Sequence, residues 1–200
     1  VGYANISSTI SGCTNNGNVT VTGHQTGGIV GKITAGKITN SVNNGAVTST
    51  AAARSVDGGL GGIAGSIKEG NASQTITGCT NNGNVTAFDR VGGIVGFQQG
   101  LNTSSILTIS NNTNLGTISS KRTDSLGVVG GITGYLKYGK ILGCTNGVST
   151  DSSKGSILNA STGKTTEDHG TGGIVGLSVD AGGNVIPTSF TSAVDKGVGN

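Results

Sequence analysis

A five-residue string returns five times along this chain, and its recurrence limits the possible folds more than any other feature. It reads GGIVG at 27–31, GGIAG at 61–65, GGIVG at 92–96, GGITG at 130–134 and GGIVG at 172–176. A second motif, I-x-x-C-x-N-x-G-x-V, falls between the copies of the first. It occupies 10–19, 38–47 with Ser41 in the Cys place, 76–85, and 109–118 with Asn112 in the Cys place. A fifth copy opens at Ile141-Leu142-Gly143-Cys144-Thr145-Asn146 and closes, after an insertion, at Gly155-Ser156-Ile157; a degenerate sixth starts at Ile186. Cutting before each GGI gives units of 34, 31, 38 and 42 residues, with partial units at 1–26 and 172–200. Two ordered motifs at this period mark a stacked-repeat architecture, not a single globule.

Each unit reads as short strands. Ile29 and Ile33 share parity and point inward with Gly31 between them, where a missing side chain lets backbones approach closely. Ala35-Gly36 makes a turn, 38–42 a second strand, Asn44-Gly45 a second turn, and 46–48 a third strand. No 11-residue window carries the 3.6-residue apolar spacing of a helix. One such coil cannot enclose its own Ile and Val; the next coil must be laid on it. The expectation is an all-β fold: a β-solenoid, right-handed β-helix-like, of five to six coils, with 1–200 a single repeat domain. At ~4.8 Å per coil the rod is roughly 25–30 Å long. Val1-Gly2-Tyr3 matches the middle of the later Val95-Gly96-Phe97 string, so the chain reads as a piece of a longer array. Open strand edges at the end coils make end-to-end self-association an expected partner mode.

Composition removes several alternatives. Gly is 39 of 200 residues, but with one Pro and no G-X-Y period the chain is not collagen. No stretch approaches the ~20 apolar residues of a membrane helix, so no direct membrane insertion is expected. Twelve basic and nine acidic residues leave +3, no Lys/Arg run exceeds Lys121-Arg122, and the six aromatics are not interleaved with cations. No nucleic-acid partner is expected from that pattern.

Cys13, Cys79 and Cys144 fill one repeat position, with Ser41 and Asn112 between them. Any two are therefore two coils apart, roughly 10 Å, beyond the ~7 Å limit for a disulfide. Three free, buried thiols are expected, and with no His nearby, no metal site and no cofactor. Asn15, Asn43, Asn81, Asn114 and Asn146 align in the same way and can stack, passing amide hydrogen bonds along the rod. GGIVG lacks the Lys-Ser/Thr and following helix of a phosphate-binding loop.

The GGIVG string followed by the C-x-N-x-G-x-V segment resembles the GLUG-motif repeats of bacterial surface proteins. These are common in gut Bacteroidetes and similar to repeats in the long N-terminal regions of streptococcal immunoglobulin A proteases. Here Ile29 stands where the motif's name would give Leu. The resemblance covers residue 1 through at least Gly176. It implies an extracellular, cell-surface location and a spacer, adhesive or ligand-presenting role, and it supplies no catalytic residues. Low charge, no Met or Trp, and abundant Thr, Ser, Asn and Gly fit an extracellular chain.

Two places are candidates for contact with a glycan or protein ligand. The first is the set of insertions of 7, 13, 6, 11 and 14 residues (20–26, 48–60, 86–91, 119–129, 158–171) between the third strand and the next GGI, which leave the coil at one corner. They hold Arg54, Arg90, Lys121, Arg122 and His169, and repeat insertions often form a binding face, although charges also collect on loops because loops are wet. The second is the row after the pentapeptide: Tyr3, Lys32, Ser66, Phe97, Tyr135 and Leu177. By parity these face away from Ile29. The aromatic members Tyr3, Phe97 and Tyr135 either offer faces to a partner or cover a turn of their own coil. No enzyme is expected, and no catalytic residues: Glu167-Asp168-His169 lie together in one loop without fixed separation, and His24 and His169 have no triad context. Two functions remain in view: an adhesin-like surface module, and a passive stalk that holds another domain away from the cell.

Overall fold

The computed structural model describes residues 1–5, 8–68, 74–100, 107–123, 127–148, 150–160 and 170–179. Every coil repeats the same five short strands. In the third coil they are Ala64–Lys68, Thr75–Thr77, Thr80–Asn81, Val85–Ala87 and Val91–Gly92. Equivalent strands of successive coils pair in parallel, forming one six-stranded and four five-stranded sheets that run the length of the rod. We number these sheets 1 to 5 in the order in which the chain visits them. The expected β-solenoid is present, with five coils and the first strand of a sixth, Val175–Val179.

The register puts each residue on its own counterpart. Ile10, Ile38, Ile76, Ile109 and Ile141 form one column in sheet 2, and all five are buried. Val19, Val47, Val85, Ile118 and Ile157 form another in sheet 4. The core follows from these columns. One apolar cluster lies between sheets 1 and 2 and a second between sheets 4 and 5, each continuous from coil to coil. Every fully buried Ile or Val contributes about 1.5–3 kcal/mol, and only stacking achieves that burial.

Three details depart from the sequence expectation. First, a coil has five strands, not three. A left-handed residue splits the expected second strand between sheets 2 and 3: Gly12 (φ 62°), Asn40 (49°), Gly78 (65°), Asn111 (54°) and Gly143 (59°). Only Gly and Asn adopt that conformation readily, which is why the position alternates between them. The strands of sheet 5 run from the end of each apparent insertion onto the first glycine of the pentapeptide.

Second, Ile29 and Val30 are both buried, so parity is not simple alternation. The Ile63 carbonyl accepts hydrogen bonds from both Ile29 N (3.1 Å) and Val30 N (3.0 Å), and Ile94, Ile132 and Ile174 carbonyls do the same for the pairs before them. The chain kinks there, and Gly31 faces backbone, not core. A methyl at the equivalent Gly65 would overlap Thr26 N, and one at Gly96 would overlap Leu60 N. Close backbone approach is thus the reason for glycine, in the direction opposite to the one parity suggested.

Third, Cys13 is exposed while Cys79 and Cys144 are each 1% exposed; all three are free thiols. Cys13 lies on the first coil described, Cys79 and Cys144 on the third and fifth. Cys13 N donates to Ser41 Oγ (3.2 Å) and Cys79 N to Asn112 Oδ1 (2.8 Å), so the polar residues between the thiols serve as acceptors.

The asparagine column is continuous. Asn15 Nδ2 donates to Asn43 Oδ1, Asn43 to Asn81, Asn81 to Asn114 and Asn114 to Asn146, each at 2.8 Å. The second amide hydrogen goes to the carbonyl of a turn glycine: Gly17, Gly45, Gly83, Gly116 or Gly155. Every interior amide therefore closes a turn within its coil and binds the next coil as well.

Replacing Asn81 by Ala strands the Asn43 amide, the Asn114 carbonyl oxygen and the Gly83 carbonyl, at about 1–3 kcal/mol for each buried group. Asn15→Ala, at the exposed end, costs less; equal losses in urea denaturation would show that the column does not carry stability. Burial raises the pKa of the Cys79 and Cys144 thiols. At mildly alkaline pH the folded chain is thus expected to take up one equivalent of a thiol reagent, at Cys13, and the other two only on unfolding.

Candidate functional site

The corner between sheets 4 and 5 gathers six of the thirteen charged residues described: Arg54, Asp57, Asp89, Arg90, Lys121 and Arg122. The chain leaves sheet 4 and returns to sheet 5 through 50–58 in the second coil, 88–90 in the third and 121–127 in the fourth, of which 121–123 and 127 are described. The third crossing is so short that Arg90 adopts a left-handed conformation (φ 51°) to complete it.

Asp89 is the hub. Its Oδ1 accepts from Arg90 N (2.8 Å) and Val128 N (2.9 Å). Its Oδ2 accepts from Arg122 Nη1 (3.0 Å) and lies 3.4 Å from Arg54 Nε. One buried carboxylate thus ties the crossings of three successive coils. Both of its oxygens are occupied, which is what a buried charge requires.

Arg90 reaches backward and forward at once. Its Nη1 donates to the Val56 carbonyl (2.6 Å) and approaches that of Ser55 (3.4 Å), fixing the tip of the second-coil crossing. Its guanidinium carbon lies 4.7 Å from the Phe97 ring centroid and 4.8 Å from that of Tyr135, and the two rings stack with centroids 5.0 Å apart. Burial above all, and then the nearby Arg54, push the Arg90 pKa down to about 10, so it stays charged at neutral pH. Arg122 lies over Phe88 in the same manner, 5.4 Å from the centroid. The Asp57 carboxylate pairs with Lys68 (2.6 Å), and its backbone carbonyl accepts from Ser66 Oγ (3.1 Å) and Gln25 Nε2 (3.2 Å).

This geometry reassigns much of the expected contact set. Tyr3, Lys32, Ser66, Phe97, Tyr135 and Leu177 do form one register column. They are not an exposed aromatic row, because the corner crossings cover it: Phe97 is 1% exposed and Tyr135 half-buried. Arg90 and Arg122 are also buried, at 6% and 7%. Arg54 is half-buried; Tyr3 and Lys121 are exposed. His169, with Glu167 and Asp168, lies outside the described residues. Asp57 and Asp89 belong to the charges that the insertions were expected to carry; Phe88 and Lys68 are the members that sequence reasoning passed over. Phe88 stands directly before Asp89-Arg90 in a chain only 10% charged, and Lys68 lies on the strand Ala64–Lys68, outside the insertions.

A small pocket at this corner brings His24, Ser49, Ser55, Arg54 and Asp89 together. Its accessible volume of about 10 Å3 is enough for one water, far below a ligand site. The residue types suggest a triad, but Asp89 is committed to two backbone amides and two arginines. Ser49 Oγ donates to the Gly23 carbonyl (2.7 Å), away from any base. Among the described residues no group of three or more His, Cys, Asp and Glu could hold a metal ion.

No protein-family model, curated protein or solved structure matches this chain.

Asp89→Ala removes the buried carboxylate that accepts from Arg90 N, Val128 N and Arg122 Nη1 and is expected to cost about 3–5 kcal/mol. Arg54→Ala, at the wet side of the same carboxylate, costs less than about 1 kcal/mol. Limited proteolysis should find new cleavage within 50–58 and 121–123 in the Asp89 variant only. An uncleaved corner would show that the crossings do not depend on this carboxylate.

Proposed function

We propose that this chain is a module of a bacterial cell-surface protein, acting as a rigid extracellular spacer that carries another domain away from the cell. The observation that carries the reading is the use of Phe97, Tyr135, Arg90 and Arg122. These side chains are best suited to grip a ligand, and they tie successive coils to one another instead. Columns that run unbroken through five coils favour a stiff rod. Polar columns of Thr, Ser and Asn on the outer faces favour one that stays soluble without attracting partners. The extracellular setting rests on composition and on the resemblance to surface-protein repeats.

A second reading, adhesin-like binding of a glycan or protein, draws support from one feature. Val56 is 83% exposed at the tip of a crossing that Arg90, Arg54 and the Asp57 contacts hold still, and Lys121 is exposed nearby along the same edge. A preorganised tip loses little entropy on binding.

The two readings separate in the full-length protein on cells. Exchanging this chain for an unrelated rod of equal length should leave attachment and the partner domain's activity unchanged if it is a spacer. A Val56→Ser, Lys121→Glu double variant that stays folded by circular dichroism yet loses attachment would replace the spacer with the adhesin.

A further inference from the structure

The outer face of sheet 2 carries a pattern that neither reading of function uses. Lys37, Thr75, Thr108 and Lys140 are register partners in the second to fifth coils. Each stands one residue before the buried isoleucine column of that sheet, so the row faces away from the core. A lysine closes it at either end, and the two are three coils, roughly 14 Å, apart. Both lysines occur in the same local string, Gly36-Lys37-Ile38 and Gly139-Lys140-Ile141.

Beside this row runs a second, Thr39, Thr77, Ser110 and Leu142. The two rows differ in what their polar atoms do. Hydroxyls of the second are committed along the rod: Thr39 Oγ1 donates to Ser11 Oγ (2.9 Å) and Thr77 Oγ1 to the Ser110 carbonyl (3.0 Å). In the first row the Thr75 and Thr108 hydroxyls have no partner among the described residues. The Lys37 and Lys140 ammonium groups have none either, and both side chains are exposed. The three acidic residues described stand elsewhere. Asp57 and Asp89 lie in the crossings between sheets 4 and 5, and Asp151 lies in the segment that joins sheets 3 and 4 of the fifth coil.

Threonine suits a pleated surface better than lysine does, and threonine fills this position in the first, third and fourth coils. The lysines therefore add charge where the strand has no need of it. What they create is a flat strip with two separated cations and uncommitted hydroxyls between them.

We propose that this face of sheet 2 binds a linear acidic polysaccharide lying along the rod. A polymer of uronic acid type carries carboxylates at intervals, with hydroxyls between them that can bond to Thr75 and Thr108. Nucleic acid fits less well, because it needs closely set cations and aromatic rings for its bases, and this face has neither. An extended peptide would need an open strand edge, and the strands of this face are already paired on both sides in the third and fourth coils. The inference rests on neither the spacer nor the adhesin reading, since it concerns a different side of the rod from the Val56 edge. Two exposed cations give a weak grip that salt screens.

The experiment is biolayer interferometry of the folded 200-residue chain on immobilised alginate, neutral dextran and single-stranded DNA at low ionic strength, with every variant first checked for the parent's Tm. Alginate should capture the chain, less so as salt rises, and dextran should not. Lys37→Glu and Lys140→Glu together should weaken alginate binding roughly tenfold. Thr75→Val with Thr108→Val should weaken it at unchanged charge. Lys154→Glu, exposed in the segment between sheets 3 and 4, should leave it as it was. No capture by alginate, an equal loss from Lys154→Glu and from the lysine pair, or single-stranded DNA held as tightly as alginate would overturn the proposal.

Discussion

Each coil is held by its likeness to the next. Parallel pairing in exact register places every residue beside its own counterpart, so a side chain is stabilised only if it can pack against a copy of itself. Isoleucine satisfies this by stacking apolar surface. Asparagine satisfies it by an amide that donates at one end and accepts at the other, which makes Asn15 through Asn146 a single directed chain of hydrogen bonds. Such a chain could be strengthened by mutual polarisation in a low-dielectric interior. A charged side chain cannot satisfy the rule, since like charges about 4.8 Å apart repel. Among the described residues the core columns accordingly contain no ionisable group except thiols.

The buried charges among the described residues, Asp89, Arg90 and Arg122, therefore lie at the one corner where coils differ. Arg54, Asp89, Arg90 and Arg122 come from three consecutive crossings of unequal length, so no charge lies on its own copy. Opposite signs can alternate along the rod there: arginine from the second coil, carboxylate from the third, arginine from the fourth. The crossing of the third coil, three residues long, is the middle of this arrangement, and its neighbours fold inward onto it. Phe97 and Tyr135 are covered as a result. An aromatic pair that would have offered its faces to a sugar is closed instead by the Arg90 guanidinium, and that is why the spacer reading gains over the adhesin.

The sequence revealed what is periodic and concealed what is not. The coil number, the isoleucine columns, the asparagine column and the spacing of the thiols were legible because repetition makes each copy testify for the others. Sheet 5 was not, since its two- and three-residue strands, such as Val91–Gly92, begin in segments whose length varies. Parity failed at Gly31 because a kink, not a pleat, places both Ile29 and Val30 inside. The burial of Arg90 and Phe97 was invisible for a physical reason: it depends on contacts between non-equivalent loops of different coils, which no alignment of the repeats can show. Exposure of Cys13 reflects position in the stack and has no signature in the motif itself.

The repeat also obeys a longer period than one coil. Coils with Gly at the left-handed corner carry Cys in the next position, as Gly12-Cys13, Gly78-Cys79 and Gly143-Cys144. Coils with Asn at that corner carry a polar residue next, as Asn40-Ser41 and Asn111-Asn112. Two contacts explain the alternation. A methyl at Gly78 would overlap Asn40 Oδ1 and one at Gly143 would meet Asn111 Oδ1, so each asparagine side chain folds over the space that the following glycine leaves open. Meanwhile the polar residue accepts the cysteine N–H of the coil before it. Two asparagine coils in succession would collide at the corner, where the second would put a side chain into the space that the first one's Oδ1 fills. The stable stacking unit at this corner is hence a pair of unlike coils, and the strict rule of self-packing that governs the core is relaxed where two complementary side chains do better than two identical ones.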